Sequence, residues 1–346
     1  MTMKRRTFVG LSAALAASPF LGRGVSGAQD DDPIDASPAA TPGGTPAALS
    51  ADDLKVLYGP VQGNSAYRLV FMQVFPDNPF WTTLKDAVVA RAAENGVTVE
   101  VIALPTTSGV AEQVSQMENA VTQQYDGIIL GTVDAAGIIP GITTANAAGI
   151  PVLAVDTAPS GGEIISLVQT DNALAASRGG DVIAEAIGGA GKVLNLQGDL
   201  ANLNGQLRNE GLHRSLEAFP DIEIIDQNTH WQATEALAIT ENILTSDPDL
   251  VAIFAANDPP ALAALEVCRA QGRDDMVIVG FDGTRDGLQA VKDGGLIANI
   301  LQFPDVMGII GVDLMVRHLN GEEIPATVDS GSGVVTADNV DEYLTV

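Results

Sequence analysis

From residue 68 to residue 320 the chain alternates short β-rich runs with stretches of helical period, and it does so twice. The first series reads RLVFMQV (68–74), a helix over 79–95 stopped by Gly96, VTVEVIAL (97–104), and a helix over 109–124. DGIILG (126–131), a helix over 137–148 and IPVLAVD (150–156) complete it. The pattern restarts after Thr170 with a helix over 172–188, KVLNLQG (192–198), a helix over 204–218 and DIEIIDQ (221–227). A helix over 232–246, LVAIFAAN (250–257), a helix over 259–271 and MVIVGFDG (276–283) follow. The last units are a helix over 284–293, LIANILQ (296–302) and a helix over 304–320. Strand, helix, strand in this order predicts parallel sheets covered by helices on both faces. Two complete series predict two doubly wound α/β lobes rather than one large sheet.

Composition narrows the function classes. The 346 residues carry 17 Lys+Arg against 44 Asp+Glu, a formal charge of −27. Nucleic-acid binding calls for a basic surface, so this balance argues against it. One cysteine, Cys268, cannot form an intramolecular disulfide framework or a cysteine-rich metal site. Its neighbours Leu265 and Val267 mark it as a core residue. His213, His230 and His318 stand in separate contexts and read as surface or satisfied histidines.

The N-terminus reads as an export signal. Lys4, Arg5 and Arg6 precede an apolar run from Phe8 to Leu21, too short to span a bilayer, which takes about 20 apolar residues. Ser26-Gly27-Ala28 then offers small residues for cleavage. Arg5-Arg6-Thr7-Phe8-Val9 resembles a twin-arginine signal, so residues 1–28 are expected to be removed on export. An ordinary secretory signal that happens to hold two arginines is the alternative. Cleavage takes away four basic residues and no acid, leaving 13 basic against 44 acidic, a net of −31. Residues 29–66 open with a Pro/Ala/Asp/Thr-rich stretch without apolar periodicity and are expected to be a disordered tether. The predicted lobes are 67–170 plus 303–331, and 171–302 plus 332–346.

Cofactor and nucleophile motifs are absent. Gly188-Gly189-Ala190-Gly191-Lys192 looks like half a phosphate loop, but Val193 follows the lysine and a strand follows the glycines, so it reads as a turn. No G-x-G-x-x-G opens a helix, and no G-x-S-x-G elbow exists. No cofactor, no metal and no catalytic residue are therefore expected. Ligands of open α/β sheets sit outside the carboxyl ends of the strands. The residues there are polar or aromatic: 75–81 (FPDNPFW), Asp156-Thr157, Asn257-Asp258, Phe281-Asp282-Gly283 and Gln302.

Those segments carry a family resemblance, running from about residue 68 to residue 335. Asp77-Asn78-Pro79-Phe80-Trp81, Asp156, Phe254-Ala255-Ala256-Asn257-Asp258, Val279-Gly280-Phe281-Asp282-Gly283-Thr284 and Gln302-Phe303-Pro304-Asp305 resemble, in order, segments of the periplasmic sugar-binding proteins of the ribose-binding type. The resemblance implies the periplasmic binding protein type I fold, two Rossmann-like lobes joined by a three-crossing hinge. It implies a solute receptor of an ABC importer, exported and soluble, that closes on a sugar or polyol and docks on a membrane permease. A monomer is expected. Asn78, Phe80 and Trp81 match first-lobe ligand contacts, Asp156 a carboxylate that accepts from sugar hydroxyls, and Trp231 the second-lobe aromatic. Asn257, Asp282 and Gln302 match polar contacts on the second lobe and hinge.

Two departures bear on the ligand. Thr157 stands where the family's ribose receptors have an arginine. Gln206 stands at the position of a second arginine, with Arg208 two residues on. Both ligand-contacting guanidiniums are thus expected to be missing, leaving Asp156 and Asp282 without a built-in counter-charge. Ribose then gives way to another pentose or hexose, a polyol, or a cationic ligand held between tryptophans. A receptor feeding a chemotaxis or two-component sensor, or one for an autoinducer-like ligand, is the alternative function. A repressor would need a DNA-binding module where the export signal stands, and an enzyme would need a motif that is missing.

Overall fold

The computed structural model describes residues 59–104 and 109–344. The expected signal, residues 1–28, and the tether up to residue 58 lie outside the described residues.

Lobe 1 is built on β1 (Arg68–Gln73), β2 (Thr98–Ala103), β3 (Gly127–Gly131), β4 (Val152–Val155), β5 (Ser166–Gln169) and β11 (Thr327–Asp329). They form a sheet in the order β2-β1-β3-β4-β5-β11, parallel throughout. The register is set by Leu69 lying between Val99 and Gly127. Helix α1 (Pro79–Glu94) follows β1, α2 (Val110–Thr122) follows β2, and α3 (Ile139–Ala147) follows β3.

Lobe 2 repeats the plan. Its strands are β6 (Ala190–Gln197), β7 (Asp221–Asn228), β8 (Leu250–Ala255), β9 (Val277–Asp282), β10 (Ala298–Leu301) and β12 (Gly333–Thr336). Their order is β7-β6-β8-β9-β10-β12, with only the β10–β12 pair antiparallel. Its helices are α4 (Asn172–Ala186), α5 (Leu203–Leu216), α6 (Ala233–Ser246), α7 (Asp258–Ala270), α8 (Arg285–Lys292) and the short α10 (Val340–Leu344). Helix α9 (Pro304–Leu319) returns to lobe 1 and packs on α1.

Burial explains the sequence texture. Central strands covered on both faces are apolar throughout: GIILG of β3 and VLAV of β4 are wholly buried. The edge strands β2 and β7 carry acids and are only partly buried, which protects an open edge from pairing with another chain. Each lobe has a core on both faces of its sheet. In lobe 1 one core gathers Leu69, Phe71, Leu84 and Met315, and the other Val70, Met117, Ile128 and Ile142. In lobe 2 one gathers Leu194, Ile253, Leu265 and Val291, and the other Ala176, Leu212, Phe254 and Phe281. Cys268 lies in the first of these, 1% exposed.

The short strands β5, β11 and β12 were not legible as strands. Each has three or four residues, and β11 exists only because β5, some 160 residues away, supplies its ladder.

The chain passes between the lobes at Thr170-Asp171, at Gln302-Phe303 and at Ser330-Gly331-Ser332. The first and third crossings are tied together. Thr170 Oγ1 lies 3.2 Å from Ser330 Oγ, and Ser330 N donates to Gln169 O at 2.8 Å.

Residues 59–66, expected as the end of the tether, are held on lobe 1. Val61 N donates to Asn95 Oδ1 (3.2 Å), Gly63 N to Asn95 O (3.0 Å) and Asn64 N to Asn320 Oδ1 (2.8 Å). Asn95 and Asn320 cap the C-termini of α1 and α9. The capping asparagines offer two side-chain oxygens and one free carbonyl at the helix ends, acceptors for a passing segment that composition does not announce.

Candidate functional site

Both sheets present the carboxyl ends of their strands to the space between the lobes. A cavity lies there, lined by Phe75, Asn78, Phe80, Trp81 and Asp156 of lobe 1, Asn202, Asn204, Arg208, Trp231, Asn257 and Asp282 of lobe 2, and Gln302 at the hinge.

The aromatic wall follows from local geometry. Asn78 caps α1, its Oδ1 accepting from Phe80 N at 2.9 Å, and Pro79 starts the helix. This places Phe80 and Trp81 on the first turn, edge to face with ring centres 5.6 Å apart. Trp81 lies across Gly131 at the end of β3, where a Cβ would come within 2.6 Å of its ring. Trp231 lies the same way across Gly198 just beyond β6, where a Cβ would meet its ring at 2.1 Å. A side chain at either glycine would occupy the ring's place.

Four cavity residues hold left-handed backbone without being glycine: Phe75 (φ 46°), Asp156 (φ 65°), Trp231 (φ 65°) and Asp282 (φ 110°). Such conformations cost of order 1–3 kcal/mol each and cluster where side chains must be aimed rather than packed.

The polar side is a supported network. Asp156 Oδ2 accepts from Thr157 Oγ1 (2.7 Å) and Asn204 Nδ2 (3.0 Å). Asp282 Oδ1 accepts from Gln302 Nε2 (2.8 Å) and Arg208 Nη1 (3.3 Å). Behind it, Asp258 is wholly buried. Its oxygens take Thr284 N (2.8 Å), Thr284 Oγ1 (2.7 Å) and the Asn299 amide, which fixes the turn after β9. Burial pushes the Asp156 carboxyl above the ordinary carboxylate range, against the pull of Arg208. Burial pushes Asp282 up to about 7, Arg208 opposing and Asp258 reinforcing the rise.

Several buried polar atoms have no partner in the protein: Trp231 Nε1, Asn257 Oδ1 and Gln302 Oε1. Leaving such a group unsatisfied costs about 1–3 kcal/mol. All three side chains line the cavity, so a bound polar molecule is what would satisfy them.

Nine of the eleven residues expected at the site line the cavity: Asn78, Phe80, Trp81, Asp156, Arg208, Trp231, Asn257, Asp282 and Gln302. Thr157 and Gln206 do not. Thr157 is 1% exposed, and its hydroxyl is taken up by Asp156 and the amides of Asn202 and Asn204. Gln206 points outward and bonds Leu200 O at 2.7 Å. The reason is helical period: Asn204, Arg208, Gly211 and Leu212 share the buried face of α5, and position 206 falls opposite.

The expected lack of a counter-charge is also corrected. The Arg208 guanidinium sits 3.8 Å over the Phe281 ring and 5.5 Å from Trp231. It reaches Asp282, so a cation is built into the site from a position two residues past the one expected. Asn202 and Asn204 are cavity residues that sequence reasoning passed over, and Phe75, singled out there at a strand end, was not among the expected contacts. The clue for the asparagines was the N-cap of α5: Asn202 Oδ1 accepts from Asn204 N at 2.9 Å.

Comparison with known proteins agrees with this geometry. Residues 69–323 match the model of the periplasmic binding protein domain. The chain is 33% identical over 250 residues to the ribose import binding protein of Salmonella typhimurium, covering 72% of this chain and 84% of that protein. It is 30% identical over 285 residues to the xylitol-binding protein of Mycolicibacterium smegmatis, covering 82% and 81%. A crystal structure of an ABC transporter periplasmic solute binding protein from Actinobacillus succinogenes with bound D-allose superposes with a TM-score of 0.76 at 26% identity. The match covers 80% of this chain and all of that one. Two doubly wound lobes, three hinge crossings and a polar-aromatic cavity between them place the chain in the periplasmic binding protein family, whose members are solute receptors and not enzymes.

Proposed function

We propose that this chain is the extracytoplasmic receptor of an ABC importer, closing on one sugar or polyol and presenting it to a membrane permease. The observation that carries the reading is the set of buried, unsatisfied polar atoms on Trp231, Asn257 and Gln302, facing one cavity with two carboxylates and four aromatic rings. A sugar has apolar C–H faces and a rim of hydroxyls. Flat rings cover the faces, and carboxylates and amides take the rim, each hydrogen bond to a charged group contributing about 1.5–3 kcal/mol. Asn78, Phe80, Trp81, Asp156, Arg208, Trp231, Asn257, Asp282 and Gln302 are the proposed ligand contacts, with Phe75, Asn202 and Asn204 added to them. Relatives that bind ribose, xylitol and D-allose support the class without choosing within it.

No helix among the described residues is long and apolar enough to cross a membrane. The basic n-region with Arg5-Arg6 supports twin-arginine export to the periplasm or cell surface, with a soluble monomer left after cleavage.

A panel of pentoses, hexoses, pentitols, inositols, glycerol and amines, followed by thermal shift and calorimetry, tests the function. One neutral polyhydroxylated compound is expected to raise the melting temperature, and Asp156→Ala and Trp231→Ala to abolish the rise. No response from any sugar or polyol, or a response that both variants retain, would overturn the reading. For the address, Arg5→Lys with Arg6→Lys should hold the precursor in the cytoplasm.

A further inference from the structure

The loop from β7 to α6 carries a turn that its residues do not favour. Gln232 N donates to Thr229 O at 2.8 Å, and the two residues between, His230 (φ 49°) and Trp231 (φ 65°), are both left-handed. Two positive φ values in the middle of a turn mark type I′ geometry, which is ordinarily built from Gly, Asn or Asp. Histidine tolerates this region better than most residues. A tryptophan there is a costly conformation that persists only when its surroundings hold it.

The turn is held from several directions, all within lobe 2. Ahead of it, the buried Thr229 donates from N and Oγ1 to Gln197 O at 3.0 and 2.7 Å. Asn228 Oδ1 accepts from His230 N at 2.8 Å. His230 Nδ1 lies 2.9 Å from Glu235 Oε2 on the first turn of α6, and Asn257 Nδ2 reaches Trp231 O at 3.5 Å. The outcome is a Trp231 ring laid over Gly198 and 5.5 Å from the Arg208 guanidinium, with its Nε1 buried and unpartnered. His230 and Glu235 are half-exposed and do not line the cavity. A pair so exposed adds little to stability. A turn resting in a costly conformation, however, is sensitive to small biases.

We propose that His230 is a positioning residue: braced by Asn228 and Glu235, it holds the turn that aims the Trp231 ring into the cavity. The brace works through the backbone. Asn228 fixes the His230 amide and Glu235 fixes its imidazole, so the residue before Trp231 keeps its left-handed conformation and the ring keeps its direction. That Trp231 then meets a ligand rests on the receptor reading above; that the brace sets its orientation does not.

The test uses the full chain labelled with 5-fluorotryptophan. Its two tryptophans give two fluorine resonances, which Trp81→Phe assigns. Glu235→Ala should move or broaden the Trp231 resonance and leave that of Trp81 in place, with native circular dichroism. Glu235→Gln, which keeps an acceptor within reach of the imidazole, should restore the parent spectrum. D-Ribose, xylitol and D-allose serve as ligand probes. The affinity of whichever binds should fall about threefold in Glu235→Ala and about tenfold when Asn228→Ala is added. Should the double variant not fold, the single one decides. An unmoved Trp231 resonance in Glu235→Ala, a Glu235→Gln as disturbed as Glu235→Ala, or a bound probe whose affinity no folded variant changes would overturn the proposal. If none of the probes binds while the resonance moves as described, the receptor's ligand class falls and the brace stands.

Discussion

The site predicts an inverted pH dependence of stability. The Asp282 carboxyl is 6% exposed and its pKa stands at about 7, against an ordinary value of 3.8. Burial, the largest cause, penalises the charged form more than Arg208 repays it. The folded chain therefore holds a proton at pH 5–7 that the unfolded chain has released. The stability this contributes is fully present below pH 3.8 and is lost as the pH rises through about 7. At about 1.4 kcal/mol per pH unit, the gap amounts to roughly 4 kcal/mol in full. Roughly 2 kcal/mol of it is lost between about pH 5.5 and 8. Asp156 and Asp313, raised by burial, and Asp258, pushed up to about 6, act in the same direction. Asp247 and Asp275 are held below the ordinary range by Lys192 and Arg273, so they titrate beneath this window. Urea unfolding of the ligand-free protein across the window is the assay. Wild type should weaken steadily toward pH 8, and Asp282→Asn should remove roughly 2 kcal/mol of that slope. A wild-type stability that rises with pH, or a slope that Asp282→Asn leaves intact, would refute the reasoning. Burial would then not govern this carboxyl.

Three further outcomes follow from the geometry. Gly198→Ala should displace the Trp231 ring, changing tryptophan emission in the free protein and weakening the proposed ligand at least tenfold, as titration by fluorescence would record. Asp313→Ala removes the buried partner of the Arg91 guanidinium, which is 8% exposed, donates to Asp313 at 2.7 and 2.8 Å and also pairs with the exposed Glu94 at 2.8 Å. It should destabilise lobe 1 by about 3–5 kcal/mol, the usual cost of breaking a buried ion pair, read from denaturant midpoints. Gln206→Ala, on the outer face of α5, should leave calorimetric affinity unchanged within about twofold, since no cavity contact is lost.

Reading strands and helices from periodicity worked where a strand was long enough to show its pattern, and most plainly where burial was two-sided. Runs such as GIILG and LVAIFA are apolar because each is covered on both faces. It failed for β5, β11 and β12, whose short runs become strands only through partners distant in sequence. In the site, residues at strand ends were legible because loop chemistry there departs from plain turn chemistry. Asn202 and Asn204 were not, because an asparagine at a helix start is an ordinary cap until another lobe closes over it.

The sequence by itself determined the two α/β lobes, the crowding of aromatic and acidic residues at strand ends, and the tryptophans as candidates for one site. Local pattern and strand order suffice for those, since each depends on residues near one another in the chain. Only the tertiary structure decided which face of α5 looks inward, and so that Arg208 and Asn204 belong to the cavity while Gln206 does not. It also decided that Thr157 holds Asp156 instead of facing the cavity, and that residues 59–66 lie on the caps of α1 and α9. These are matters of which unpaired donor meets which acceptor once the lobes and helix ends come together. No local pattern encodes the meetings between lobes or at helix ends, because the partners of Asn204 and of residues 61 and 64 lie 34 to 256 residues away.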